Sequence, residues 1–180
     1  LDGDCNLIVY YAGHGIPDES EKTAYLLPVD SDGKHVRTCY SLGEFYSELS
    51  SMNAKCTTVF LDACFSGASR NNNGEMVVAA RSIAIDVDES EIEGRLVVFS
   101  AASDDQTALA YDEKNHGLFT YFLLKKLKES NGDVSLLELG DYLKEQVSLH
   151  SVLKNHKKQT PTVVVGAGFG SEWELLRLKE

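Results

Sequence analysis

The sequence predicts an α/β sandwich built on a mainly parallel sheet. Two observations lead there. Four short apolar runs, 6–11 (NLIVYY), 57–61 (TTVFL), 95–99 (RLVVF) and 162–165 (TVVV), are rich in Val, Ile, Phe and Tyr and do not alternate apolar with polar residues. Continuous runs of this kind suit strands buried on both faces by covering helices. Helical patterns lie between the runs, and strands that alternate with helices imply a layered α/β arrangement.

In chain order, the first run is read as a strand, and a shorter run at 24–27, ending at Pro28, as a hairpin arm or edge strand. Ser41-Leu42-Gly43-Glu44 has the form of a capping box, and Leu42, Phe45, Tyr46 and Leu49 then share one helical face. After the strands at 57–61 and 95–99, Leu118, Tyr121, Phe122 and Leu124 pattern as a second helix, with Lys125, Lys126 and Lys128 towards its C-terminal end. Ser135 is placed to cap a third helix with Leu136, Leu139, Leu143 and Val147 on its inner stripe. Residues 66–94 differ: SGASRNNNGE is polar and IDVDESEIEG is acidic, so this segment is read as a functional or mobile loop. The whole chain, 1–180, is read as one domain.

Composition narrows the function classes. A chain of 180 residues that is 43% hydrophobic and 25% charged matches ordinary globular proteins. No apolar run is long enough to span a bilayer, so membrane insertion is not expected. A net charge of −11 opposes binding to nucleic acid and to anionic membranes and suits basic substrates. Cys5, Cys39, Cys56 and Cys64 show no metal-site or disulfide rhythm, which leaves buried thiols or a catalytic thiol. The chain opens on Leu1 without a signal-peptide pattern, and residues before it are expected to exist.

The chemistry gathers where the runs end. The first leads into Ala12-Gly13-His14-Gly15, the second into Asp62-Ala63-Cys64-Phe65-Ser66-Gly67, and the third into Ser100-Ala101-Ala102-Ser103-Asp104-Asp105. In an open parallel sheet that edge is the usual ligand site. If the first two strands are neighbours, His14 and Cys64 emerge side by side. A thiol of ordinary pKa is mostly protonated at neutral pH, and a nearby imidazole can take its proton and later hand it to a leaving amine. Backbone N–H groups of Gly15 and Cys64 are then candidates to face an oxyanion. Ser66 lacks the first glycine of a G-x-S-x-G elbow and is read as structural.

These motifs resemble the caspase-like cysteine peptidases of family C14, closest to the metacaspase and bacterial orthocaspase branch. That branch carries Y-S-G-H-G after a strand, then D-S-C-H-S-G, then K-D-x-Q-T. Here they read Tyr11-Ala12-Gly13-His14-Gly15, Asp62-Ala63-Cys64-Phe65-Ser66-Gly67 and Ser103-Asp104-Asp105-Gln106-Thr107, with Gly117-Leu118-Phe119-Thr120-Tyr121 similar to the family's G-x-F-T-x helix start. The 50 residues from His14 to Cys64 also match the family's spacing. Ala12 and Phe65 depart from the pattern, which alters the pocket lining and leaves the Cys-His pair intact.

The resemblance implies a three-layer α/β/α caspase-like sandwich whose N-terminal strands are missing from this chain, supplied by an upstream segment or a second chain. It implies a cysteine endopeptidase with Cys64 as nucleophile and His14 as base. Asp62, two positions before the nucleophile, would hold an Arg or Lys at P1 in the S1 pocket, with Asp104 as a second charge; a loop-capping carboxylate is the alternative for Asp62. Substrates are thus expected to be proteins or peptides with Arg or Lys at P1. Residues 66–94 fall where the family carries its processing linker, and Arg70 and Arg81 suit self-cleavage. No organic cofactor is expected; calcium binding stays open, with Asp30 and Asp32 read first as turn residues. Three other readings remain: a catalytically silent interaction module on this fold, an Asp-specific caspase-type peptidase, and an unrelated Cys-His esterase.

Overall fold

The computed structural model describes residues 1, 3–18, 23–31, 35–65, 68–70, 76–78, 92–103 and 106–179, with the backbone alone at 68–70 and 76–78. Its strands are β1 (Asn6–Asp18), β2 (Thr23–Leu26), β3 (Tyr40–Ser41), β4 (Cys56–Cys64), β5 (Ala68–Arg70), β6 (Met76–Val78), β7 (Leu96–Ser100), β8 (Ala110–Tyr111), β9 (His116–Gly117) and β10 (Thr162–Val165); its helices are α1 (Leu42–Ser51), α2 (Leu118–Ser130) and α3 (Leu136–Asn155). The main sheet runs β10-β7-β4-β1-β2-β3. Its centre, β7-β4-β1, is parallel, and antiparallel strands finish both sides.

The sheet is covered on both faces. On one, Val59, Leu61, Leu96 and Val98 pack with Leu42, Tyr46 and Leu49 of α1. On the other, Phe60, Val97 and Phe99 pack with Leu118, Phe119 and Phe122 of α2 and Leu136, Leu139, Leu143 and Val147 of α3. The four predicted inner residues of α3 are all at most 1% exposed. Burial of each such side chain contributes about 1.5–3 kcal/mol, which is why this stripe fixes the helix against the sheet. Both predicted caps form: Ser41 Oγ accepts from the Glu44 N–H, and Ser135 Oγ from the Glu138 N–H.

Two expectations need correction. His14 and Cys64 do not lie in loops beyond their strands; hydrogen-bonded pairing continues through both, because β1 finds a partner in β4 up to Cys64 and another in β2 beyond it. The first run is also not buried on both faces. β4 and β7 are, but β1 alternates, leaving Ile8 51% and Tyr10 49% exposed. Those two share the face that α2 and α3 cover, where the helices pack mainly over β4 and β7 and meet β1 at the Tyr10 hydroxyl, 2.7 Å from Thr120 Oγ1. Among the described residues no strand pairs with the second edge of residues 7–13. Further along the chain, β5 and β6 pair in a separate two-stranded antiparallel sheet.

Candidate active site

The register of the parallel pair fixes the central geometry. Ala12 lies opposite Asp62 and His14 opposite Cys64 on β1 and β4. Side chains of register partners point to the same face, and neighbouring strands lie roughly 4.8 Å apart. His14, Asp62 and Cys64 therefore rise together from the α2 and α3 face of the sheet. They line one cavity of about 490 Å³, closed on its far side by the segment 107–111 and the β8–β9 hairpin. Gly15 has a constraint of its own: a Cβ there would collide with the Phe65 ring, so Gly15 and the ring that follows Cys64 are matched.

Backbone orientation near the pair follows from its bonds. The His14 carbonyl accepts from the Leu27 N–H at 3.0 Å and from the Tyr11 hydroxyl at 2.8 Å, so it faces β2. Backbone groups alternate along a strand, so the Gly15 N–H turns the other way, towards β4. The Cys64 Sγ is flanked by the main chain of Ala108, whose N–H lies 2.7 Å from the sulfur and whose carbonyl lies 3.4 Å from it.

Asp62 is mostly buried, and its Oδ2 accepts from both the side chain and the backbone of Thr120, at 2.5 Å and 3.3 Å. Thr120 is the third residue of α2, so the carboxylate also meets the positive end of that helix. Gly117 permits this approach, since any Cβ there would overlap the carboxylate. Burial pushes the Asp62 pKa above the usual carboxylate range, and the two hydrogen bonds from Thr120 oppose that rise. Asp62 thus accepts from the first turn of α2 and also lines the cavity.

Asp104 and Arg81 lie outside the described residues, as do Asp32 and Ser66. Arg70 lies on β5. Among the described residues no group of three or more His, Cys, Asp or Glu side chains is placed to hold a metal ion, and no cysteine is in a disulfide.

Three contributors were not legible as site residues in the sequence. Thr120 stood inside the G-L-F-T-Y motif without a role, and Ala108 carried no signal. Gln159, fully buried, ties down the segment that closes the cavity: its Nε2 donates to the Ala101 carbonyl at 2.8 Å and its Oε1 accepts from the Leu109 N–H at 2.9 Å. A polar residue just ahead of the last apolar run was the one hint. Gln159→Ala is expected to lower stability by about 2–4 kcal/mol, because each buried group left without a partner costs about 1–3 kcal/mol. Urea unfolding measures this, and a midpoint equal to wild type would reject the clamp.

With the geometry in place, comparison with known proteins defines the class. The sequence model of the caspase domain family, peptidase C14, matches residues 1–166. The chain belongs to the caspase domain family of cysteine peptidases. No curated protein matches it. Among solved structures, caspase-1 from Spodoptera frugiperda aligns with a TM-score of 0.57 and 14% identity, covering 89% of this chain and 59% of that one. Protein GSU0716 from Geobacter sulfurreducens aligns with a TM-score of 0.65 and 18% identity, covering 97% of this chain and 72% of that one. The chain thus spans little over half the length of the caspase-1 structure, and at these identities the likeness establishes the caspase-like fold alone.

Proposed function

We propose that this domain is a cysteine endopeptidase of the metacaspase and orthocaspase type that cleaves after Arg or Lys. The observation that carries the reading is the pairing of His14 with Cys64 as register partners on adjacent parallel strands, on one face, with Asp62 lining the same cavity. His14 takes the thiol proton, Cys64 Sγ attacks the scissile carbonyl carbon, and the imidazolium returns the proton to the departing amine. Water then hydrolyses the thioester. The Gly15 and Cys64 N–H groups are the oxyanion donors in this scheme; both face the ladder between β1 and β4, so they reach the oxyanion only when its last rungs open. The Ala108 peptide must also move off the sulfur as substrate enters.

Asp62 meets the P1 cation, joined by Asp104. The substrates are proteins or peptides bearing Arg or Lys at P1, and an upstream segment or second chain supplies the strand beside residues 7–13. Self-cleavage at Arg70 or Arg81 belongs to the same reading. No organic cofactor enters the scheme, and calcium acts, if at all, outside the thiol chemistry.

Peptide reporters ending in Arg, Lys or Asp test the specificity. Fast release from the basic ones is expected; faster release from Asp-terminated ones would overturn it. The engagement of Cys64 by Ala108 favours one second reading, a silent interaction module. A thiol-reactive probe separates the two: labelling of Cys64 no faster than Cys39 selects the module.

A further inference from the structure

Asp62 has two carboxylate oxygens, and among the described residues only one accepts a hydrogen bond. Oδ2 receives both Thr120 bonds, while among the described residues Oδ1 accepts none. Thr120 has a single hydroxyl proton. With that proton given to Asp62, the 2.7 Å contact between Thr120 Oγ1 and the Tyr10 hydroxyl must be donated by Tyr10. A directed chain results, from the β1 phenol through the α2 hydroxyl to the β4 carboxylate. Donors in such a chain polarise one another, and each favours the charged acceptor at its end.

We propose that Thr120 and Tyr10 are positioning residues for specificity: together they hold Asp62 ionised, with Oδ2 committed to the start of α2 and Oδ1 left for the substrate cation. This rests on the reading of Asp62 as the P1 carboxylate. A merely structural Thr120 would serve the helix alone, whereas this arrangement ties its hydroxyl to the ionisation of another residue. If Asp62 becomes protonated, the same contacts reverse: the carboxyl donates to Thr120, Thr120 to Tyr10, and the cation loses its partner. Activity on basic substrates therefore falls as pH drops through the Asp62 pKa, which burial sets above the ordinary range.

Other ionisable groups face the same space: His14 and Cys64 from the strands, and Tyr111, Asp112 and His116 from the hairpin side. The Asp62 signal must be separated from theirs, which Asp62→Asn does by deleting it.

The experiment is a carboxyl ¹³C NMR titration of Asp62 in the whole chain, beside the pH profile of kcat/KM on an Arg-terminated reporter. Thr120→Val is expected to move the Asp62 midpoint upward by about one pH unit, since it removes a hydrogen bond to the charged form. Thr120→Ser, which keeps the hydroxyl, should titrate like wild type, and Tyr10→Phe should shift in the same direction by less. The acid limb of kcat/KM should move with the NMR midpoint in every variant. An Asp62 midpoint unchanged in both Thr120→Val and Tyr10→Phe overturns the proposal, and Tyr10→Phe, at a half-exposed site, decides alone if Thr120→Val does not fold. If the midpoints shift as expected but wild type does not turn over basic reporters, the positioning of Asp62 stands and the peptidase reading falls.

Discussion

Cys64→Ala is expected to abolish turnover of Arg- and Lys-terminated reporters while the circular dichroism spectrum stays that of wild type. On the proposed mechanism, removing the sulfur deletes the nucleophile, and among the described residues no other thiol lines the cavity. The structural effect should be small, because Cys64 is only partly buried at the end of β4 and alanine keeps the strand. His14→Ala should fall almost as far, since a nucleophile and its base act as a unit, and losses of up to about 10⁶-fold have been measured when one member of such a unit is removed. The double variant should be no worse than the worse single. Residual turnover by Cys64→Ala above a few per cent of wild type would exclude the assigned nucleophile.

Asp62→Asn is expected to have the second largest effect, and it separates charge from scaffolding. Asparagine keeps a carbonyl oxygen that can accept from Thr120, so the start of α2 remains capped. What is lost is the negative charge. Breaking a buried ion pair by removing one partner costs about 3–5 kcal/mol, so kcat/KM for Arg reporters should drop by roughly 150- to 5,000-fold. Reporters with a neutral P1 residue should be little affected. Steady-state kinetics on matched Arg, Lys and norleucine reporters measures this, and an equal loss on all three would assign Asp62 a structural role only.

Much of the fold was legible because its signals are local. The stripe of α3 and the burial of β4 follow from residue type at fixed spacing, and both helix caps follow from a serine three residues before a glutamate. β1 misled because continuous apolar composition says what could be buried, not what the covering helices reach; Ile8 and Tyr10 match the buried type and remain half exposed. The pair at the strand ends was readable because small residues after two apolar runs mark where a sheet opens. Its supports were not. Thr120 meets Asp62 across 58 residues and Ala108 meets Cys64 across 44, and no local pattern encodes contacts over such distances.

Because His14 and Cys64 sit on hydrogen-bonded strands, their spacing is inherited from the ladder and not from the chain that follows it. Length changes or a cut between β4 and the buried Ile92 leave both groups anchored to the same two rails. The connecting sequence is thereby released to diverge or to be severed, while the imidazole and the thiol keep their separation.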